Sequence, residues 1–297
     1  MRADRRARAR AAAILALVCA LWIVPMVVLF SASISSNDAV LREGYGFLPR
    51  QVDFSAYEYL FSKSGSIVHA LGVSFAVMAA GTAASTLLAA FLAYPLSRPG
   101  LRGRALVLGL ILFTMLFNGG LVPTYMIYTQ VIDLRDSFAA LIVPNLLLSG
   151  FQVILMRTYF MKSIPASILE AAEIDGASPM RVFFQVVLPL SLPIFATVGF
   201  LQASVYWNDW FNAMLYINAT DLMGLQAVMN QMLTNLNFLS SLSQNAISGA
   251  LGGAAASPPT ATIRMSMAVL GILPSLILFP IAQKYLVQGL TLGGTKE

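Results

Sequence analysis

Residues Glu170–Pro189 read EAAEIDGASPMRVFFQVVLP and form a polar hinge between apolar segments of membrane length. Just upstream, Ser163-Ile164-Pro165 predicts a helix start with proline at the first helical position. Ile168, Leu169 and Ala172 share one side of that short helix, and Glu170 and Glu173 lie off it. Gly176 ends the helix where a left-handed backbone is expected, and Ser178-Pro179 caps the start of the next. The pattern predicts a helix–turn–helix knuckle whose small residues suit close packing into another protein's groove. It reads as a docking element.

The rest of the chain has the composition of a membrane protein: 58% of residues are hydrophobic and 10% charged, with a mean hydropathy of +0.77. Soluble domains carry about 25% charged residues. A span needs roughly 20 apolar residues, and six segments qualify: Ala12–Ser33, Ile67–Tyr94, Ala105–Tyr128, Phe138–Met156, Leu192–Ile217 and Met265–Tyr285. All are expected to be helical, because backbone exposed to lipid must satisfy its own hydrogen bonds. The fifth is the weakest, interrupted by Asn208, Asp209 and Asn212. Arginines 2, 5, 6, 8 and 10 precede the apolar run Ala11–Phe30. That run is longer than the ~7–15 residues of a signal core and no A-x-A site follows, so it is read as an uncleaved first span. The single cysteine, Cys19, excludes a disulfide within the chain and is expected to be a buried membrane thiol.

Lysine and arginine divide unevenly between alternate loops. The N-terminal tail, Arg98/Arg102/Arg104, Arg157/Lys162/Arg181 and Lys284/Lys296 make one set; Arg42, Arg50, Lys63, Arg135 and Arg264 make the other. Thirteen against five predicts that both termini and the Glu170–Pro189 hinge are cytoplasmic. The net charge of +5 is therefore loop charge at span ends, not a nucleic-acid-binding surface. Outside lie Ser35–Ser66, a short loop holding Asp133–Asp136, and Asn218–Ile263. In the last, Leu225, Met229, Met232 and Leu236 recur at helical spacing against Asn230, Gln231 and Asn235, predicting an amphipathic helix. Ser248–Ala256, SGALGGAAA, reads as a connector. The expected division is residues 1–66 (basic tail, first helix, external loop), 67–285 (a five-helix core with hinge 160–190 and external loop 218–263) and 286–297 (tail).

The hinge resembles the EAA loop of binding-protein-dependent ABC importer permeases: EAA, three residues, G, nine residues, then I-x-LP. Glu170, Ala171, Ala172, Gly176, Leu188 and Pro189 fall at matching positions, Val186 replaces the isoleucine, and Asp175 and Ala177 extend the match to the IDGAS form seen in sugar importers. Ala93–Arg98 with Leu101–Arg104 resembles the AYxLSR…RGR segment of those permeases, and Asn118–Tyr125 their GGLxPxY segment. Trp207-Asn208 matches a WN pair, and Gln288–Lys296 a KGLTxGAVK ending from which Gln288, Gly294 and Thr295 depart. The likeness runs from about Phe54 to the end, and its branch is similar to the maltose-type second permease and to oligosaccharide permeases.

The resemblance implies an all-α, polytopic membrane protein of six transmembrane helices with the type I ABC importer permease fold. It implies a bacterial cytoplasmic-membrane subunit that forms a sugar path and couples to an ATPase through Glu170, Ala171, Ala172, Asp175, Gly176, Ala177, Leu188 and Pro189. The implied partners are a second homologous permease, a cytoplasmic ATPase dimer and an extracytoplasmic sugar-binding protein. No G-x-x-x-x-G-K-[ST] loop is present, so ATP hydrolysis is expected from a separate subunit. H-E-x-x-H and G-x-S-x-G are absent and the only histidine, His69, has no second ligand at metal spacing, so neither an enzyme nor a metal or cofactor site is expected.

Asp209 is the acidic residue expected at membrane depth, where an ionisable group is costly and faces a bundle interior, water or an interfacial aromatic belt. With Trp207, Asn208, Asn212, Asn118 and Tyr125 it makes a candidate translocation path, since aromatic faces stack on sugar rings and polar groups bond hydroxyls. Asn118, Asn145 and Gln152 each have a bland alternative, a helix–helix hydrogen bond. A proton- or sodium-driven secondary transporter using Asp209 is the competing function; it leaves the hinge unexplained. The orientation predicts that cysteines at Ser55 and Ser243 react with an impermeant external thiol reagent in intact cells while one at Ala177 does not; the reverse pattern contradicts it.

Overall fold

The computed structural model describes residues 2–62, 64–247 and 260–291. Its helices are, in chain order, α1 (Arg2–Ser33), α2 (Asn37–Glu43), α3 (Ser55–Ser62), α4 (Ser64–Ser97), α5 (Arg104–Leu116), α6 (Leu121–Met126), α7 (Gly150–Ser163), α8 (Ala166–Ile174), α9 (Pro179–Val182), α10 (Leu188–Leu190), α11 (Leu192–Asn208), α12 (Phe211–Tyr216), α13 (Leu225–Ile247) and α14 (Thr260–Thr291). A π-helical turn, Ile127–Val131, extends α6, and another, Phe183–Val187, joins α9 to α10. The architecture is all-α: among the described residues no strand forms, beyond a β-bridge between Ser35 and Val52.

Arg10–Ser33 and Ile67–Ser97 are each long and apolar enough to cross a bilayer in one piece. Two further apolar stretches are bent helix pairs: Arg104–Leu116 meets Leu121–Val131 at 114°, and Pro179–Leu190 meets Leu192–Asn208 at 81°. The helices expected over Ala105–Tyr128 and Phe138–Met156 are both interrupted. In the first, Asn118 turns the chain: its Oδ1 accepts the Gly120 N–H at 2.9 Å, and Gly120 takes φ +89°, a conformation open to glycine. In the second, a 3-10 turn at Phe138–Leu141 leads into turns through Pro144, which has no N–H to donate, and Asn145 at φ +61°; helix resumes at Gly150. Cys19 is exposed rather than buried, on the apolar stretch of α1, whose burial within the chain is concentrated at its end, in Ser31, Ala32 and Ser33.

The described residues form two compact units, Met1–Val68 with Met229–Pro274 and His69–Val228 with Ser275–Glu297. In the first, the end of α1 is tied down by several bonds. Ser36 N–H donates to the Gln51 carbonyl at 2.9 Å, Asp53 N–H to Ile34 at 3.0 Å, Tyr57 Oη to Ser33 Oγ at 3.0 Å, and Ser266 Oγ to the Ser33 carbonyl at 3.1 Å. The amphipathic helix expected in the last external loop forms as α13, with Leu225, Met229 and Leu236 buried and Gln231 and Asn235 exposed. The connector at Ser248–Ala256 and the tail beyond Thr291 lie outside the described residues.

In the second unit, Ala89, Ala93 and Leu96 of α4 share a core with Val153, Met156 and Phe160 of α7, Leu169 of α8, and Phe183 and Val187. The alanines let helices approach closely, which is how apolar spans gain packing energy in lipid. Phe183, 1% exposed, lies 4.9 Å from the Phe91 ring and 5.5 Å from Tyr94. Another cluster joins Val77, Leu141, Tyr206, Ala213 and Tyr216. There Gly81 admits the Tyr206 ring: a Cβ on Gly81 would sit 2.5 Å from it. His69 Nε2 donates to the Asp221 carbonyl at 2.7 Å.

Asp136 makes a clip at one end of this unit. Its N–H donates to the Tyr216 carbonyl at 3.0 Å, and its carboxylate accepts the N–H groups of Asn218 and Ala219 and the Asn218 Nδ2, the last two at 3.1 Å. Those bonds, the Asn218 backbone first, hold the Asp136 carboxyl below its ordinary pKa. A lowered folded-state pKa contributes stability above the ordinary value and loses it as pH falls through the lowered one. The Asn218 and Ala219 amides should therefore be protected from hydrogen exchange at neutral pH and released only below the ordinary carboxylate range. In Asp136→Ala they should exchange quickly at every pH; equal protection in the variant contradicts the clip.

Candidate functional site

The hinge folds as its residues direct. α7 ends at Ser163, Ile164 is extended, and Pro165, predicted as the first helical residue, stands instead at the cap, one position before α8 begins at Ala166. At the other end of α8, Gly176 takes φ +74°. The Gly176 N–H donates to the Glu173 carbonyl and the Ala177 N–H to Ala172, both at 3.0 Å. This paired closure is a Schellman motif, the expected left-handed glycine stop. Ser178 Oγ then accepts the Arg181 N–H at 3.4 Å, with Pro179 opening α9 as predicted. The knuckle has a buried side and an open side. Leu169, Val182 and Phe183 are buried, while Glu170, Ala171, Asp175 and Gly176 are exposed. Ile174 is 86% and Met180 58% exposed, large apolar surfaces on a polar turn.

The two glutamates of α8 part company. Glu173 Oε1 accepts from Arg98 Nη2 at 2.8 Å, whereas Glu170 has no hydrogen-bond or ion partner among the described residues. An open cavity of about 740 Å³ beside them is lined by Tyr94, Arg98, Leu101, Glu170, Glu173 and Gly176. Nothing in the chain lies within 4 Å of a Cβ placed on Gly176, so within this chain its constraint is backbone alone. Leu188 and Pro189 do not line this cavity and lie in the chain just before the 81° bend that leads into α11.

The candidate path residues take more structural duties than their residue types suggested. Asp209 Oδ1 accepts the N–H groups of Phe211 (3.1 Å) and Asn212 (3.2 Å), capping α12 where the fifth apolar segment breaks. Asn212 Nδ2 donates to the Pro144 carbonyl at 3.0 Å, and Asn208 Nδ2 to Ser204 at 2.8 Å. Trp207 is 1% exposed and packs 5.3 Å from Phe75, so its ring is covered in this conformation. Tyr125 stacks on Tyr216 at 5.7 Å. Gln152 makes the helix–helix bond expected of it, bridging Ser85 (3.3 Å) and Gln202.

These bonds converge on the non-helical stretch at residues 142–149. Tyr206 Oη donates to the Ile142 carbonyl (3.0 Å), Asn212 Nδ2 to Pro144, and Gln202 Nε2 to Leu146 (2.7 Å). The same stretch opens onto a cavity of about 610 Å³ whose polar lining is Thr114, Tyr128, Asn145 and Ser149 and which contains no charged side chain. Non-helical backbone at membrane depth is tolerated where protein or a water-filled cavity meets it; here side chains meet three carbonyls of the stretch and the cavity borders it.

The family described as "Binding-protein-dependent transport system inner membrane component" matches residues 5–292. The chain is 36% identical to the polygalacturonan/rhamnogalacturonan transport system permease protein YtcP of Bacillus subtilis, over 95% of this chain and 94% of that protein. It is 27% identical to the trehalose transport system permease protein SugB of Mycobacterium tuberculosis, over 94% of each. Among solved structures, a bacterial ABC transporter involved in the import of the acidic polysaccharide alginate has a chain that superposes with a TM-score of 0.80 at 31% identity, covering 96% of this chain and 98% of that one. The chain belongs to this permease family. It is a multi-pass membrane protein with the ABC permease fold.

Several residues of this permease escaped the sequence reading. In the sequence Glu173 lies off the apolar side of α8 and Arg98 falls in a resembling segment, and their contact, which spans 75 residues, has no local signal. Gln202 and Tyr206 sit in an apolar run with no hint of which carbonyl they meet. Asn145 was legible as a polar interruption, not as a left-handed turn residue.

Proposed function

We propose that this chain is the membrane-spanning subunit of an ATP-driven importer for a sugar or oligosaccharide, docking an ATPase through the α8–α9 knuckle. The observation that carries the docking is the knuckle itself: a Schellman-closed turn anchored by buried Leu169 and Phe183, presenting exposed Ile174, Met180 and an unpaired Glu170. Exposed apolar side chains beside a free carboxylate suit a partner groove that carries an arginine. Glu170, Ala171, Ala172, Asp175, Gly176 and Ala177 form the contact, and Leu188 and Pro189 set the bend through which movement reaches α11.

The chain supplies the path and no hydrolytic chemistry. It works with a second homologous permease, a cytoplasmic ATPase dimer and an extracytoplasmic sugar-binding protein, in a bacterial cytoplasmic membrane with both termini inside. Residues 67–285 form the permease core, residues 1–66 the tail, first helix and external loop, and 286–297 the C-terminal tail. The sugar class is supported by the names of the relatives, which include oligosaccharide and trehalose permeases. It is also supported by the cavity at residues 143–149, whose hydroxyl and amide lining matches sugar hydroxyls. Asp209, engaged in capping α12, is better explained as a structural carboxylate than as an ion-coupling group.

Gly176→Asp forces a side chain onto a left-handed backbone, costing about 1 kcal/mol before any partner contact. It should leave the protein inserted, release the ATPase on purification and abolish uptake in vesicles. Glu170→Ala should weaken both by a smaller factor. Normal ATPase recovery with full uptake in Gly176→Asp contradicts the docking.

A further inference from the structure

Among the described residues the knuckle is bonded to the end of α4 by one charged contact, between Arg98 and Glu173. Arg98 follows α4 directly, and its N–H donates to the Pro95 carbonyl at 3.1 Å, so its backbone extends the last turn of that helix. Its guanidinium lies 5.5 Å over the Tyr94 ring and donates to Glu173 Oε1 at 2.8 Å. Two further arginines fix the same helix end. Arg157 Nε of α7 donates to the Leu96 carbonyl at 2.9 Å, and Arg104 Nη1 to the Arg98 carbonyl at 3.5 Å. Cations at a helix C-terminus complement its dipole. Of the three, Arg98 alone makes an ion pair among the described residues, and that pair bridges to α8.

We infer that Arg98 is a positioning residue that makes α8 and α4 move together, so that displacement of the docked knuckle reaches the second span. The inference rests on the docking reading above and deepens it. α8 has two carboxylates one turn apart, and their surroundings divide the work: Glu173 is taken up inside the chain, while Glu170 is left for the partner. The apolar contacts of Phe183 with Phe91 and Tyr94 hold the knuckle on α4 but fix no direction of pull. A fork-shaped guanidinium stacked on Tyr94 and bonded to Glu173 does, because guanidinium–carboxylate bonds are directional. Its side chain is 27% exposed and that of Glu173 61%, so the pair is partly screened by solvent and its contribution is modest.

The test uses the complete transporter, with its ATPase and binding protein, in proteoliposomes, measuring ATPase retention, ATP hydrolysis and sugar uptake together. Arg98→Gln should retain the ATPase and hydrolyse ATP near the wild-type rate, while sugar moved per ATP falls about fivefold, the scale of a partly exposed ion pair. The exchanged pair Arg98→Glu with Glu173→Arg should recover at least half of that loss, and Glu173→Gln alone should reproduce it. An unchanged sugar-to-ATP ratio in Arg98→Gln overturns the inference, as does a lowered ratio that the exchanged pair fails to raise. Loss of the ATPase from the wild-type transporter itself would instead remove the docking reading, and this inference with it.

Discussion

A peptide group in hydrocarbon must find a hydrogen-bond partner, and this requirement organises the second unit of the permease. Residues 142–149 leave the helical ladder in the middle of an apolar segment. Their carbonyls at Ile142, Pro144 and Leu146 are met by Tyr206, Asn212 and Gln202. These three donors come from α11 and α12, so one turn-rich stretch is held against one broken span. Asp209 makes that second break tolerable by accepting the orphan N–H groups of α12. Gly81 admits the ring of Tyr206, without which the Ile142 carbonyl would lose its donor.

The result is irregular backbone with one side satisfied by side chains and the other open to a polar, uncharged cavity of about 610 Å³. Such a lining suits a polyhydroxylated solute, and it is built mostly from residues whose polarity is modest one by one. At the far end of the same unit, the α8–α9 knuckle turns on Gly176 and rests on Phe183. Both features lie in one packed unit, joined by α4, α7 and α11. A force applied at the knuckle therefore has a mechanical route to the helices around the cavity.

The knuckle was legible because its signals are local. A proline cap, a glycine stop, a Ser-Pro restart and a run of alanines each act within a few residues, and all four appear in the structure near the predicted positions. Composition likewise predicted an all-α membrane protein, and helical spacing predicted α13. The breaks were less legible: Asn118–Tyr125 gives no measure of the 114° bend, and nothing at Phe138–Met156 announced eight non-helical residues. There, apolar composition concealed non-helical backbone, because the donors that make it possible lie some 60 residues away in sequence. Trp207 shows the converse. Its residue type advertised a sugar-stacking face, and packing against Phe75 covers it.

The central claim is that residues 143–149 border the solute path rather than lipid. It is tested most directly by placing a cysteine at Asn145 in a transporter whose Cys19 is replaced by serine, and following its reaction with a charged, water-soluble thiol reagent in proteoliposomes. The account predicts rapid modification that is slowed by the transported sugar and changes in rate when ATP is added. A cysteine at that position that resists the aqueous reagent in every state, while reacting with a lipid-soluble one, would contradict it.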